Sequence, residues 1–258
     1  MGDLFLQQKL KMEFYIKNKK MKKIIILLIS SFLISCSYSN NVTLTMVEGS
    51  PSYESAKLTL SDTVSNSGND YSFSFKIEDY ELGVQTPKQF EYKLANSAKG
   101  QHIHFITNNG PYSAKYSNEF VQKLDEGDNV ILAFLSRSYH ESVKNPNAYY
   151  LAQIGDGNKI DLSGELLFYS RPKGVYKGES SEKLLLDFYL VNTKISPQGN
   201  KVRATIHGTE FIIDEWAPYY IEGLPKGEIS IKLELINSKG DLIDSPFNPS
   251  VRKVILQE

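Results

Sequence analysis

Three of the four histidines in the sequence are placed so that their side chains could bind the same metal ion. His102 and His104 are two residues apart in an alternating stretch, so in a β-strand their side chains lie on the same face. His140 lies just past the end of another predicted strand, and Glu141 follows it. Neutral imidazoles that converge with a carboxylate oxygen suit Zn or Cu. The pattern predicts a metal site formed by His102, His104, His140 and Glu141.

An internal repeat in the sequence offers a second interpretation of His102 and His104. At an offset of one hundred residues, His102 and His104 align with Val202 and Ala204. The alternation of Val202 and Ala204 with Arg203 indicates the inward face of a strand. The alternative to a metal site is therefore a pair of interior histidines satisfied by hydrogen bonds.

Aromatic rings and guanidinium groups form a second candidate site, for a ligand other than a metal. Stacked rings beside a guanidinium bind sugars or peptides. The structural alternative is a tyrosine that hydrogen-bonds the backbone at a sandwich corner, with a tryptophan that packs in the core. The candidate ligand-binding residues are Arg137, Tyr169, Arg171, Tyr176, Trp216, Tyr219 and Tyr220.

Enzyme motifs do not accompany these candidates. The sequence has no Gly-x-Ser-x-Gly elbow, no His-Glu-x-x-His pair and no phosphate-binding glycine loop. Its single cysteine is Cys36, so the rest of the chain has no thiol nucleophile. The sequence favours a non-catalytic module over an enzyme, and the strongest enzyme hypothesis would use the histidine cluster as a metal site.

Short alternating runs predict the strands that must position these residues. From Asn41 onward, apolar residues recur with period two between turn residues, and helical periodicity is almost absent. The 16 Tyr and 13 Phe beside a single Trp are typical of β-structure. With 41% hydrophobic residues and one Cys, the composition excludes collagen-like, disulfide-rich and disordered proteins.

A repeat divides this body into two halves. Residues 124–131 realign with residues 224–231, and Leu, Gly and Ile coincide within the block. The Leu-Pro-x-Gly corner resembles that of fibronectin type III domains, and about seven short strands per half fit a sandwich. The sequence predicts an all-β fold with two tandem immunoglobulin-like β-sandwich modules, at residues 42–160 and 165–258, after a lipoprotein signal peptide.

One strand of the first module is apolar on both faces. Val130, Leu132 and Phe134 occupy positions that are polar in the equivalent strand of the second module. Since a strand with one wet face alternates between apolar and polar residues, this face must be covered. We expect that either an inserted segment or the second module covers it.

The N-terminal segment has the order of a secretory signal. Lys22 and Lys23 precede an eleven-residue apolar run, which is too short for a spanning helix of about 20 residues. Residues 33–36, Leu-Ile-Ser-Cys, resemble the lipobox of bacterial lipoproteins, which implies cleavage before Cys36 and its lipidation. We expect anchorage in the inner or outer membrane of a bacterial cell envelope.

These features set the N-terminal boundaries. Met21 is the natural start, so residues 1–20 are an over-extended start, residues 21–35 are the signal peptide, and residues 36–41 hold the lipidated Cys36 and a tether. After residue 35, 22 basic residues stand against 28 acidic ones, which argues against a nucleic-acid partner.

Four segments of the body carry a resemblance to a family. They are DYELGVQTP at 79–87, GQHIH at 100–104, FLSRSYHES at 134–142 and FYSRPKG at 168–174. They resemble an uncharacterised family of lipoproteins from Gram-negative bacteria whose members are often called phosphopeptide-binding proteins.

The resemblance implies recognition of phosphorylated Ser or Thr, for which Arg clusters and a forkhead-associated sandwich are expected. The chain has four Arg and lacks the Gly-Arg and Ser-x-x-His order of forkhead-associated domains. Arg137, His140 and Arg171 are the anion contacts that the resemblance suggests. We therefore predict an envelope lipoprotein that acts as a binding or interaction module for a peptide, glycan or protein. The alternative is a Zn- or Cu-binding envelope protein.

Overall fold

The computed structural model describes residues 42–65, 68–87, 95–155 and 157–258. The predicted over-extended start, signal peptide, lipidated Cys36 and tether fall before residue 42, outside the described residues. No helix in these described ranges combines the length and apolar character needed to cross a membrane.

The regular secondary structure of the described residues is β-strand apart from one short helix, as the alternating apolar pattern predicts. One short 3₁₀ helix lies at Gly178–Ser181. The strands of the first half are Lys57–Ser65 (β2), Asp70–Glu78 (β3), His102–Thr107 (β4), Ser113–Lys115 (β5), Glu119–Lys123 (β6), Asn129–Ser136 (β7) and Tyr149–Ile154 (β8), and Thr43–Met46 (β1) precedes them. Those of the second half are Leu166–Arg171 (β9), Gly174–Lys177 (β10), Lys183–Val191 (β11), Lys201–Ile206 (β12), Thr209–Ile213 (β13), Tyr219–Glu222 (β14), Gly227–Ile236 (β15) and Ser250–Gln257 (β16).

The first sandwich packs a three-stranded sheet, β2-β3-β6, against a four-stranded sheet, β5-β4-β7-β8. Its core contains Phe73, Phe75, Ile103, Phe105 and Leu135, all at most 1% exposed. Alternate residues of β4 and β7 supply this core, so the other face of both strands is directed to the opposite side of the sheet.

The second sandwich packs the sheet β1-β14-β11-β9 against the sheet β10-β16-β15-β12-β13. Its core contains Leu186, Phe188, Val202, Ile231 and Leu233, which are fully buried. Strand β10 runs parallel to β16, and the other pairings are antiparallel. The two sandwiches confirm the predicted all-β fold with tandem immunoglobulin-like modules.

Strand β1 corrects the predicted boundary of the first module. The sequence predicts that the first module spans residues 42–160, but β1 pairs antiparallel with β14 of the second sandwich, with Thr43 opposite Glu222. Val42 is buried in the second core. An edge strand is held by backbone hydrogen bonds, which the side-chain pattern does not specify.

The repeat extends to the turns that join equivalent strands. Strands β4, β7 and β8 occupy the positions in the first sandwich that β12, β15 and β16 occupy in the second. After β7, Ser136 bridges Ser142, and after β15, Ile236 bridges Leu242 at the same offset of one hundred residues. The structure therefore supports the internal duplication predicted from sequence.

A third apolar cluster lies between the sandwiches. Val130, Leu132 and Phe134 of β7 pack against Phe168 of β9 and Tyr189 of β11. The rings of Phe134 and Tyr189 stack with their centroids 4.6 Å apart. The expectation that this face of β7 is covered is confirmed, and the second module covers it.

Candidate metal centre

Strand β4 carries His102 and His104 on the face that is directed towards the second sandwich. Ile103 and Phe105 alternate with them and belong to the core of the first sandwich. His104 Nδ1 lies 3.3 Å from Ser170 Oγ of β9. The two strand histidines therefore lie where the sandwiches meet.

The alignment that placed these histidines on the inward face is wrong by one residue. Leu135 and Leu235, one hundred residues apart, pair with Ile103 and Val202 respectively. Those two partners are only 99 residues apart, so β4 and β12 are shifted by one residue relative to β7 and β15. A shift of one residue exchanges the two faces of a strand.

His140 lies in the turn after β7 and has a positive φ of 69°. Its backbone N–H donates to Arg137 O at 2.9 Å. The equivalent turn of the second sandwich uses Gly240, with φ 89° and a bond of 3.0 Å to Asn237 O. Since a positive φ is unfavourable for residues with a side chain, the first sandwich holds a histidine where the backbone favours glycine.

The rings of the three histidines converge. His102 Nε2 lies 3.0 Å from His104 Nε2 and 3.1 Å from His140 Nδ1. One ligand atom from each residue can be chosen so that all three lie within 4.8 Å of one another. His102 and His104 are fully buried, whereas His140 is partly exposed. Solvent is therefore excluded from the cluster on the side of strand β4, and it reaches the cluster on the side of His140.

Neighbouring groups fix the orientation of the rings. His102 Nδ1 lies 2.9 Å from Gly100 O, and a carbonyl only accepts, so this nitrogen carries the proton. His102 Nε2 then presents its lone pair to His104 and His140. The hydroxyl of Tyr112 lies 3.3 Å from His140 Nδ1. That nitrogen also faces His102, so the Tyr112 contact is on the side of the cluster. The outer hydrogen bonds are those of His102 Nδ1 to Gly100 O and of His104 Nδ1 to Ser170 Oγ, and such bonds are typical of histidines that bind metals.

Burial lowers the pKa of all three imidazoles. The pKa falls to about 4 for His102 and to about 2 for His140, and that of His104 is lowered well below its ordinary value. The positive charges of Arg171 and Lys173 lower these pKa values further. The rings are neutral at pH 7, which is the form that binds metal ions.

Two of the three separations between the ligand nitrogens are close to those around a tetrahedral ion, and the third is at most 4.8 Å. Zn–N bonds of about 2.0–2.1 Å put tetrahedral ligands about 3.3 Å apart. The separations of 3.0 and 3.1 Å are close to that value. Three protein ligands leave a fourth position for an exogenous ligand. Imidazole nitrogens also suit copper.

Glu141 does not join the histidines. Its carboxylate pairs with Arg137 Nη1 at 2.9 Å and accepts a hydrogen bond from Ser50 Oγ. Burial raises the pKa of Glu141, and the charge of Arg137 opposes this shift. The predicted set of four ligands is therefore reduced to three, because the side chain after His140 is held by this separate ion pair.

Arg137 is engaged within the chain. Its Nε donates to Pro51 O at 3.0 Å, its Nη1 donates to Ser142 O at 2.7 Å, and its Nη2 also donates to Pro51 O. With Glu141 as its counter-ion, this guanidinium joins loops of the protein. It is not available as the anion contact that the sequence suggested.

The predicted aromatic residues do not form one site. Tyr169 and Tyr176 are buried in the core of the second sandwich. Tyr220 packs in a separate small cluster that includes Tyr139. The hydroxyl of Tyr219 donates to Glu215 O at 2.8 Å, which agrees with the corner-tyrosine alternative.

Trp216 lies apart from these tyrosines, at the edge of the contact between the sandwiches. Its Nε1 donates to Phe188 O at 3.0 Å, and its ring contacts Tyr189 edge-on with centroids 5.2 Å apart. One side of Trp216 lines a surface groove together with Tyr149 and Glu165. The residue is therefore partly structural and partly available to a ligand.

Two residues beside the histidines were missed in the sequence. The ring of Tyr112 stacks on His104 with the centroids 3.5 Å apart. Lys173 Nζ lies 3.9 Å from the centroid of the same ring and donates to Tyr112 O at 2.7 Å. Tyr112 lies in no periodic run, whereas Lys173 follows the candidate Arg171 by two residues, which was the one available signal.

No protein-family model and no curated protein sequence matches the chain. It is similar to solved fibronectin(III)-like modules of Clostridium thermocellum CbhA, at 14% identity over 78% of this chain and 94% of the other, with a TM-score of 0.27. The central fibronectin-III array of RIM-binding protein gives 12% identity, 82% and 71% coverage, and a TM-score of 0.27. At these TM-scores the similarity carries no argument about function, and the assignment to tandem immunoglobulin-like sandwiches rests on the sheets of the chain itself.

Proposed function

We propose that this protein binds a transition metal ion, Zn²⁺ or Cu²⁺, through His102, His104 and His140. The observation that supports the proposal is the convergence of their ring nitrogens at 3.0 and 3.1 Å. Neutral imidazoles oriented by outer hydrogen bonds are ready to bind without losing protons. Of the two ions, Cu²⁺ binds nitrogen ligands more tightly.

The proposed setting is the bacterial cell envelope. The charged, apolar and Leu-Ile-Ser-Cys segments before residue 37 support a lipid anchor on Cys36. Each acyl methylene buried in a membrane contributes about 0.8 kcal/mol, so several chains anchor a protein durably. The proposed role is binding, because the sequence carries no recognised catalytic motif.

Metal retention tests this proposal directly. The full-length protein is purified in mild detergent without a polyhistidine tag, incubated with Zn²⁺ or Cu²⁺, desalted and analysed for metal by mass spectrometry. We expect close to one ion per chain in the wild type. We expect its loss in His102→Gln/His104→Gln and in His140→Gly, the latter of which keeps the backbone conformation of the turn.

The matched control is His207→Gln, which changes the exposed histidine of the β12–β13 hairpin. This variant is expected to retain the ion. Circular dichroism establishes that each variant is folded. A folded wild type that retains neither metal, or a His140→Gly variant that retains as much as the wild type, would overturn the proposal.

A second candidate function is binding of a glycan or peptide in the groove beside Trp216. Tyr149, Trp216 and Glu165 line this groove, and aromatic rings beside polar groups suit such ligands. Trp216 is the single Trp of the chain, so its fluorescence reports binding without a label. A saturable change of emission with an oligosaccharide or peptide would support this function. Unchanged emission across a panel of both would reject it.

A further inference from the structure

The hydroxyl of Tyr112 lies beside the histidine cluster. Tyr112 is in the turn between β4 and β5 and is 4% exposed. Its hydroxyl lies 3.3 Å from His140 Nδ1, the nitrogen that also faces His102. Two ligand atoms of one tetrahedral ion are about 3.3 Å apart. The phenol oxygen is therefore at the distance from His140 Nδ1 that a fourth ligand would have.

Contacts with both sandwiches hold the ring of Tyr112 in this place. The ring stacks on His104 with the centroids 3.5 Å apart and the planes at 12°. Lys173 Nζ, from the second sandwich, lies 3.9 Å from the ring centroid and donates to Tyr112 O at 2.7 Å. The hydroxyl is therefore fixed beside His140 before any ion binds.

The protons of the metal-free cluster do not satisfy all of its short contacts. His102 Nε2 has one lone pair, because Nδ1 carries the proton of this ring. His104 Nε2 and His140 Nδ1 lie 3.0 and 3.1 Å from that lone pair's nitrogen. A single lone pair cannot be aligned with two donors, so at least one of the two contacts is poorly satisfied. An ion would instead accept a lone pair from each nitrogen.

The Tyr112 hydroxyl competes with an ion for the lone pair of His140 Nδ1. Burial raises the pKa of Tyr112, and the charge of Arg171 opposes this shift, so the phenol keeps its proton at pH 7 in the metal-free chain. When His140 Nδ1 carries no proton, the hydroxyl donates to its lone pair. An ion that binds this nitrogen must displace the phenol proton. The oxygen left beside the ion then has lone pairs of its own to give.

We infer that Tyr112 is the fourth ligand of the metal ion and binds it through the phenolate oxygen. This inference rests on the proposed metal-binding function. The bond between oxygen and ion forms as the O–H bond breaks, and one proton per ion passes to the solvent without any oxidation or reduction. The phenolate removes one positive charge from the loaded centre, and Lys173 over the ring favours the anionic form.

A fourth protein ligand closes the site. Zinc sites with four protein ligands hold the ion, whereas sites with three protein ligands present it to a substrate. Three imidazoles and a phenolate therefore favour retention of the ion over catalysis, in agreement with the absence of enzyme motifs from the sequence. A set of nitrogen and oxygen ligands is also typical of Cu²⁺.

Copper provides the probe, because a phenolate bound to Cu²⁺ gives an intense visible band by charge transfer from oxygen to the metal, which imidazole ligands do not give. The full-length protein in mild detergent is titrated with Cu²⁺ and its visible spectrum is recorded. We expect a band that saturates at one ion per chain. Tyr112→Phe keeps the stacked ring but lacks the oxygen. It should bind Cu²⁺ without the band and about tenfold or more weakly.

The matched control is Tyr116→Phe. The ring of Tyr116 lies 5.0 Å from that of His102, measured between centroids, but its hydroxyl pairs with Ser97 Oγ at 2.7 Å. This variant removes a hydroxyl from a ring that contacts the cluster and leaves the proposed ligand in place. Its band and its Cu²⁺ affinity should match those of the wild type, and circular dichroism establishes that both variants are folded.

Azide tests whether the fourth position is closed, because this anion binds Cu²⁺ at an open position. Tyr112→Phe should bind azide about tenfold or more tightly than the wild type, since the substitution opens the position that the phenolate fills. Tyr116→Phe should bind azide as the wild type does.

The outcomes separate the two proposals. One Cu²⁺ per chain without the charge-transfer band, or a band of equal intensity in Tyr112→Phe, overturns the inference and leaves the site of three histidines intact. Equal azide affinity in the wild type and Tyr112→Phe also overturns the inference. Failure of the wild type to bind either Cu²⁺ or Zn²⁺ removes the proposed function itself.

Discussion

His140 occupies the backbone position in the first sandwich that Gly240 occupies in the second. Both residues have positive φ angles, 69° and 89°, and each donates its N–H to the carbonyl three residues earlier. The turn thus forms without a side chain at this position. The imidazole that His140 adds at this position has its Nδ1 3.1 Å from His102 Nε2, which is one of the contacts of the proposed metal centre.

Replacement of His140 by glycine is predicted to separate binding from stability. A positive φ costs a residue with a side chain about 1–2 kcal/mol, and His140→Gly removes this cost together with some packing. We expect the free energy of unfolding of the metal-free variant to stay within about 1 kcal/mol of the wild type. Its metal affinity should fall by more than the roughly 10–100-fold that loss of an outer-shell partner costs. Urea unfolding and calorimetric titration measure the two quantities.

The matched change in the second sandwich is Gly240→Ala. Alanine at a φ of 89° should lower the free energy of unfolding by about 1–2 kcal/mol and leave metal affinity unchanged. The interpretation of the turn would be contradicted if His140→Gly destabilised the protein more than Gly240→Ala does.

The sequence predicts faces of strands better than it predicts their partners. Apolar residues at Val130, Leu132 and Phe134 required a cover, and the second sandwich provides it. Backbone hydrogen bonds and shape determine which sheet covers this face and that β1 pairs with β14. Neither of these can be read from the pattern of side chains.

The histidine centre was predicted in part for the same reason. The shared face of His102 and His104 follows from strand periodicity, and the closeness of His140 follows from the pairing of β4 with β7. The one-residue shift between the repeats was invisible, because register depends on loops of unequal length. Glu141 was assigned by adjacency, although a turn directs neighbouring side chains to different partners.

The stability of the metal-free protein is predicted to fall as pH falls below about 6.5. The folded-state pKa values of the three clustered histidines are lowered, to about 4 for His102 and about 2 for His140, whereas their ordinary value is 6.5. Between pH 6.5 and pH 4 the unfolded chain therefore binds more protons than the folded one. Each ring contributes up to about 1.4 kcal/mol per pH unit to the loss.

Urea unfolding at pH 7.5, 6 and 5 with a chelator present measures this slope. Replacement of His102 and His104 by glutamine should flatten the slope, because the substituted side chains do not titrate. His207→Gln should leave it as in the wild type. A wild-type free energy of unfolding that is constant from pH 7 to pH 5 would contradict the prediction.

A buried ion pair across the two sandwiches is predicted to stabilise their docking. Lys144 Nζ, in the loop after β7, lies 2.6 Å from Asp187 Oδ1 of β11, and Ser142 Oγ donates to the same oxygen at 2.9 Å. Asp187 is fully buried, and its Oδ2 has no hydrogen-bond partner in the described part of the chain. Lys144→Met would leave this carboxylate without its cation, at a cost of about 3–5 kcal/mol.

The double variant Lys144→Met/Asp187→Leu should recover most of that loss, because apolar residues of similar size can replace a buried pair at little cost. The partly exposed pair Lys183–Glu222, at 3.0 Å within one sheet, is the control, and Lys183→Met should change the free energy of unfolding by less than about 1 kcal/mol. Urea unfolding of the four proteins of the Lys144–Asp187 cycle yields its coupling energy.

A coupling no larger than that of the Lys183–Glu222 pair would show that the apolar cluster between the sandwiches holds them together without the ion pair. A large coupling would mean that Lys144 and Asp187 fix the position of β11 relative to the loop after β7, and so of β9 relative to β4, which are their neighbours in the two sheets.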